Sequence, residues 1–283
     1  SIGTWPTTTC SATVSGPGTT WTNAGHLKVG MNGNGTLNIS DQAVVSVEGD
    51  TFAIGQGGPT SVINFDNGTL NTSGLVVGES YLTGTGTINT NSLVSDRHMV
   101  YDSIDDLTQT IILGGSGRNI TINLNIDGSG SMGAGVGGSG SMRISNGLSI
   151  LSPHGYVGYY GSLGIAKVSG PGTTWTNSLD MTIGREGVGH LEISDGASVS
   201  SRIRTFVATR ENSFGSVTVK GDGSRWTNLG KVELGARGHG IGTPGVGMIS
   251  ISDGGLVSIA GDHGECLRIE DQMSGLSFVT IAT

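Results

Sequence analysis

The residues of this chain that could do chemistry are few and scattered. Six histidines form no HxH or HxxxH pair, so the sequence carries no metal-ligand spacing. Glu192, Asp195, Glu211, Asp222 and Arg225 lie close together in sequence. A polysaccharide lyase or hydrolase would need such carboxylates in pairs, or an Asp set beside Arg and Lys. Here they fall at outward strand or corner positions, which any soluble repeat protein fills with polar groups. The expectation is a non-enzymatic protein without a cofactor, with a polysaccharide-processing enzyme kept as a second alternative. No GxSxG elbow occurs, and no glycine-rich loop ends in Lys-Ser or Lys-Thr. Asp102, Asp105 and Asp106 lie in 95–110, a stretch free of Gly. Such an oxygen cluster could ligate Ca²⁺ or could be a solvated acidic loop. Two cysteines remain, Cys10 and Cys266, near opposite ends of the chain.

The elements that would position these groups follow from composition and repetition. Of 283 residues 52 are Gly, and charged residues make up 13%, about half the roughly 25% of ordinary domains. Abundant Gly, Ser, Thr and Asn favour short strands and turns over helices. The net charge of −8, with isolated Lys and Arg, offers no basic stripe for nucleic acid or an anionic membrane. No apolar run approaches the roughly 18 residues of a membrane-spanning helix. The chain begins at Ser1 with no signal peptide, which reads as a processed protein or a fragment.

VSGPGTTWTN occurs twice, at Val14–Asn23 and Val168–Asn177, and Trp226-Thr227-Asn228 repeats its end. Between these lie GTLNISDQAVVSV from Gly35, GSMRISNGLSI from Gly140, GHLEISDGASVS from Gly189 and GMISISDGGLVSI from Gly247. A third piece reads LKVG, MTIG and VELG, and its Gly (Gly30, Gly184, Gly235) always follows the Trp at the same distance. Each piece alternates apolar and polar residues, as half-buried strands do. Aligning successive pieces sets Ile193 against Val219, Val199 against Trp226, and Val207 against Leu234. The prediction is an all-β, right-handed parallel β-helix of about eleven three-stranded coils of roughly 25 residues. It forms one domain over 1–283, with 95–110 as a loop or irregular coil inserted in it. Inward-facing Trp21, Trp175 and Trp226 form a core stack. Corners of the SGPG and SDG types alternate from coil to coil. A two-layer sandwich is the alternative, and it would require hairpin turns between its strands.

The pieces VSGPGTTWTN, MTIG and GHLEISDGASV, over Val14–Ile54 and Ser131–Ile259, resemble the repeat of bacterial autotransporter passenger domains and PEP-CTERM-associated surface proteins. The resemblance implies a right-handed β-helix displayed outside the cell, and no catalytic activity. The chain carries neither the family's carboxy-terminal transmembrane barrel nor its PEP-CTERM tail.

The functional expectation is an extracellular or cell-surface structural protein that stacks head to tail on itself. The alternative is an adhesive stalk of a larger surface protein, with surface glycans as partners. Neither nucleic acid nor membrane insertion is expected. Neither end shows a cap, and Phe278-Val279-Thr280-Ile281 reads as a first strand whose coil is unfinished. Counting from Ile281 through Thr283 and on from Ser1 to Trp5 gives the spacing of Val168 to Trp175. Ile2 and Trp5 of one subunit would then continue the coil of another, with 1–13 exchanged between neighbours. Trp5 aligned with Trp21 puts Cys10 in the column of His26, the column to which Cys266 also maps. The pair becomes a candidate intersubunit disulfide.

Overall fold

The computed structural model describes residues 1–3, 5–53, 61–102, 107–115, 117–235, 245–261, 267–269 and 278–281. They form an all-β structure of parallel sheets, with one 3₁₀ turn at Glu79–Tyr81. Two compact units are present: Ser1–Ser95 with Leu107–Ser131, and Asp96–Asp106 with Met132–Thr283.

The second unit is built from three ladders. The first runs through His98–Tyr101, Gly140–Ile144, Leu163–Ser169, Val188–Ser194, Phe214–Lys220, Val246–Ser252 and Phe278–Ile281. The second runs through Ser149–Ser152, Thr174–Asn177, Ser198–Ser201, Arg225–Asn228 and Leu256–Ile259. The third runs through Met132–Ala134, Gly155–Tyr159, Met181–Arg185, Arg204–Val207, Lys231–Leu234 and Leu267–Ile269. Each repeat contributes one strand to each ladder, and the register follows the sequence alignment. Ile193 pairs with Val219, Val199 with Trp226 and Val207 with Leu234, all in parallel. The alternation then decides burial: in Leu191-Glu192-Ile193 the apolar residues are buried and Glu192 is partly exposed. In the second ladder Trp175, Val199 and Trp226 follow one another in one inward column, so a small side chain separates two large ones.

Two corner types alternate as the sequence implies. Asn146-Gly147, Asp195-Gly196 and Asp253-Gly254 have positive φ at both residues, whereas Gly170-Pro171-Gly172 and Gly221-Asp222-Gly223 have it at the first and third. In the longer corner, Thr173 Oγ1 donates to Ser169 O and accepts from Gly147 N, which ties the corner to its neighbour; Ser224 does the same for Lys220 and Gly196. The Gly that follows each Trp motif has a steric reason. Gly184 has φ +68°, and a Cβ there would lie 1.9 Å from Phe214 O.

The first unit repeats this plan and then shortens it. Thr9–Ser15 pairs with Asn34–Ser40, and Thr20–Asn23 and Leu27–Val29 both pair with Val44–Ala53. Val62–Val77 and Leu82–Thr90 run through the corner without an SDG or SGPG turn. Arg118–Asn125 pairs in parallel with Leu82–Thr90 and antiparallel with Thr108–Gly115, the one antiparallel pairing within either unit among the described residues. The stretch 95–110 is thus partly regular. Ser95 ends a strand, His98–Tyr101 joins the first ladder of the second unit, and Thr108 opens the hairpin. The sequence hid this because β-branched and aromatic strand residues there come without the flanking Gly that marks the other repeats.

Candidate functional site

Several described strands end a sheet, among them Ser149–Ser152, Leu256–Ile259 and Thr108–Gly115; the candidate site is the pair of terminal strands Phe278–Ile281 and Thr9–Ser15. In the second unit, Phe278–Ile281 pairs on one side with Met248–Ile251. Among the described residues its other edge carries no strand. Val279 and Ile281 continue the columns of Ile249 and Ile251 and are 40% and 74% exposed. Phe278 is also exposed. In the first unit the outer edge of Thr9–Ser15 is likewise unpaired among the described residues. Ala12 and Val14 face inward beside Leu37 and Ile39. Trp21, on the adjoining outer strand Thr20–Asn23, is half-buried beside fully buried Val45, whereas Trp175 and Trp226 are fully buried. The three Trp residues share a sequence motif, but among the described residues Trp21 has a strand on one side only.

The amino-terminal residues sit elsewhere than the expected alignment of Trp5 with Trp21. Ile2 bridges to Val29 in parallel, and its N–H donates to Lys28 O while its carbonyl accepts from Gly30 N. Gly3 has φ +66°, the same as Gly30. Ile2-Gly3 therefore repeats Val29-Gly30 one strand earlier. Trp5 is not a strand residue: its carbonyl accepts from the N–H and Oγ1 of Thr8, and its side chain is 76% exposed. Cys10 lies in the strand Thr9–Ser15 opposite Gly35, not in the turn before Leu27 where His26 lies. The shared column of Cys10 and His26 is thereby corrected, and with it the seven-step count through Trp5. Cys10 is exposed and free, and Cys266 falls outside the described residues.

Among the described carboxylates, Glu192 is taken up by lysines and Asp195 and Asp222 lie at neighbouring corners. Glu192 Oε1 lies 3.0 Å from both Lys167 Nζ and Lys220 Nζ, which come from the strands on either side. Its partial burial opposes charge, but hydrogen bonds from Lys220 and Lys167 and their charges outweigh that, and its pKa falls below the usual glutamate value. Asp195 accepts from Ser194 Oγ at its corner, and Asp222 occupies the next corner. Asp102 is buried, while Asp105 and Asp106 fall outside the described residues. Among the described residues no three His, Cys, Asp or Glu side chains gather as a metal site. No helix among them is long and apolar enough to cross a membrane. Burial alone lowers the His190 pKa and raises that of Tyr101.

One arrangement escaped the sequence reading. In the first unit, Thr83 Oγ1 donates to Asn64 Oδ1, Asn64 Nδ2 to Asn38 Oδ1, and Asn38 Nδ2 to Thr13 Oγ1, at 3.1, 3.4 and 3.2 Å. A second row links Asn123, Asn89, Asn71 and Ser46 in the same sense. Asn38 and Asn71 also begin N-x-S/T triplets. The first row ends at Thr13, on the unpaired edge.

No protein-family model, curated protein or solved structure matches this chain.

Proposed function

We propose that the chain is a right-handed parallel β-helix and a non-enzymatic structural protein of the extracellular or cell-surface space, which associates with itself end to end. The observation that carries this reading is the Phe278–Ile281 edge, where inward-column residues Val279 and Ile281 stand exposed. An unpaired parallel strand with apolar residues favours addition of a further strand. Alternation of hydrophobic and polar faces fixes the register of that addition. The pairing of Glu192 with two lysines supports a structural role over the enzyme alternative.

Electron microscopy and sedimentation of the purified protein over a range of concentrations test the proposal. Filaments or head-to-tail oligomers are expected. Val279→Lys, on an exposed edge, should abolish them while leaving the far-ultraviolet circular dichroism of a β protein. Discrete monomers at every concentration would overturn the self-association. An adhesive stalk would instead bind a glycan array as a monomer, and release of reducing ends from a polysaccharide panel would favour the enzyme.

A further inference from the structure

We infer that the outer face of the third ladder in the second unit carries a binding site for an acidic saccharide, built by Tyr156, Tyr159, Tyr160 and Arg185. The rings take the C–H face of a uronate sugar, and the guanidinium takes its carboxylate. The site lies within one unit and does not rest on the end-to-end reading above.

The repeat itself does not call for these rings. GYVGYYG from Gly155 aligns with MTIGREG from Met181. Val157 and Ile183 share an inward column, and both are fully buried. The remaining places differ. Tyr156 stands opposite Thr182, Tyr159 stands opposite Arg185, and Tyr160 takes the place of Glu186. Three of the chain's five tyrosines therefore fall in one strand and the residue after it. Tyr160 holds φ +55°, a left-handed conformation that bulky side chains rarely adopt. The same corner is left-handed at Glu186, φ +60°, and a ring is the costlier side chain to keep there.

The rings form one connected surface. Tyr156 and Tyr159 lie 4.7 Å apart between centroids, Tyr159 and Tyr160 lie 4.0 Å apart, and His154 stacks on Tyr156 at 5.9 Å. Tyr156, Tyr160 and His154 are half-buried, so each keeps part of its surface in solvent. Along the outward column of Tyr156 the neighbours are Gly133 and the short Thr182. No large side chain on the adjoining strands covers the ring within that column. Aromatic faces edged by a few polar groups are the usual lining of small-ligand sites.

Arg185 sets the charge of the ligand. Its guanidinium carbon lies 5.7 Å from the Tyr159 ring centre, and its Nη1 donates to Tyr159 Oη at 3.4 Å. Other arginines nearby are neutralised, Arg204 by Asp180 and Arg210 by Glu186. Among the described residues Arg185 has no carboxylate partner. Its remaining donors match a carboxylate in planar, two-pronged fashion. Tyr159 Oη donates to Tyr160 Oη at 3.2 Å. Burial, and after it Tyr159, raises the Tyr160 pKa against the pull of Arg185. The Tyr160 phenol thus stays a neutral hydroxyl that can donate to a sugar oxygen. One free cation beside two neutralised ones fits a single charge on a ring, not the closely spaced phosphates of a nucleic acid.

Isothermal titration calorimetry of the full chain with galacturonic acid oligosaccharides, against galactose oligosaccharides of equal length, reads the site. The acidic ligand should bind about tenfold tighter, and its affinity should fall as salt rises. Arg185→Gln should cancel that preference. Tyr156→Ala should weaken both ligands by about tenfold. Arg225→Gln, in the second ladder, should change nothing. Circular dichroism checks the fold of each variant, and Arg185→Gln decides alone if Tyr156→Ala does not fold. Equal binding of the two oligosaccharides, binding that survives both substitutions, or no binding of either would overturn the site. Tighter binding of a thymidine oligonucleotide than of the galacturonate would overturn the saccharide assignment. Filament formation is scored without ligand, so either proposal can fail while the other stands.

Discussion

The repeats built around Trp175 and Trp226 occupy the same columns, yet they complete their buried polar groups differently. Both indoles are fully buried. Trp175 Nε1 donates to Ser152 Oγ, Ser152 Oγ donates to Asn177 Oδ1, and Asn177 Nδ2 donates to Ser200 O, at 3.0, 2.9 and 3.2 Å. Ser201 is the counterpart of Ser152, and it too bonds Asn228 Oδ1. Its hydroxyl, however, is also engaged by Thr205 Oγ1, which bonds Asn228 Oδ1 as well. Trp226 Nε1 and Asn228 Nδ2 then have no protein acceptor. In the Trp175 repeat Gly155 stands near this place, and a Cβ there would come within 2.7 Å of Asn177 Oδ1. The repeat motif fixes the column and the burial of Trp. The neighbouring repeat decides whether its N–H is satisfied.

The largest expected effect tests what the two sites share. Trp175→Ala and Trp226→Ala each remove a fully buried indole from between smaller side chains and should each cost about 3–5 kcal/mol of unfolding free energy. Urea denaturation of both variants checks this. A cost under about 1 kcal/mol at either site would break the equivalence of the columns.

The next effect tests what they do not share. Trp175→Phe removes a donor from Ser152 and should cost about 1–2 kcal/mol beyond the lost ring volume. Trp226→Phe removes a donor that has no acceptor in the protein, so only the volume change remains. Trp175→Phe should therefore be the less stable variant by about 1–2 kcal/mol in the same assay. Equal midpoints would show that the indole hydrogen bond to Ser152 contributes nothing net.

This difference also marks what was legible in the sequence. Register could be read because strand alternation has a period of two and the motif recurs, so Val199 had to face Trp226. The alternating corners were legible because SGPG and SDG differ in length and in where Gly falls. The depth of Trp21 was not, since burial depends on whether a strand lies on each side, and the motif WTN is identical at both places. The position of Trp5 was misread because a single Trp without its TN partner carries no register, while Ile2-Gly3 resembles Val29-Gly30 in only two residues. The asparagine rows were hidden by composition, because in a chain rich in Asn the recurrence at strand spacing looks like abundance. The hairpin of Thr108–Gly115 breaks the repeat, so nothing in the repeat could announce it.

The smallest effect concerns the group that links the two repeats on the outer face. Glu192, from the repeat between them, takes Lys167 from the Trp175 side and Lys220 from the Trp226 side at equal distance. Because the Glu192 pKa is lowered on folding, its contribution is present above the unfolded glutamate value of about 4.3 and is lost as pH falls through the folded value. His190, on the same strand, acts at higher pH. Burial lowers its pKa, so the unfolded chain binds its proton more readily, and stability declines as pH falls below about 6.5. Lys167→Met and Lys220→Met should each cost about 0.2–1 kcal/mol at neutral pH, with the cost shrinking in high salt. The Lys220→Met cost should be the larger, since Lys220 also feels Asp195 and Asp253 while both lysines stand 3.0 Å from Glu192. Each should also fade as pH falls through the lowered folded value of Glu192 and the carboxylate is protonated. His190→Gln should leave that acid step unchanged and flatten the decline that begins below about 6.5. Thermal unfolding followed from pH 3 to 8 separates the two steps. A Lys220→Met variant whose stability matches the parent's at every pH and salt concentration would show that Glu192 is held by Lys167 alone, and that the link between the repeats is one-sided.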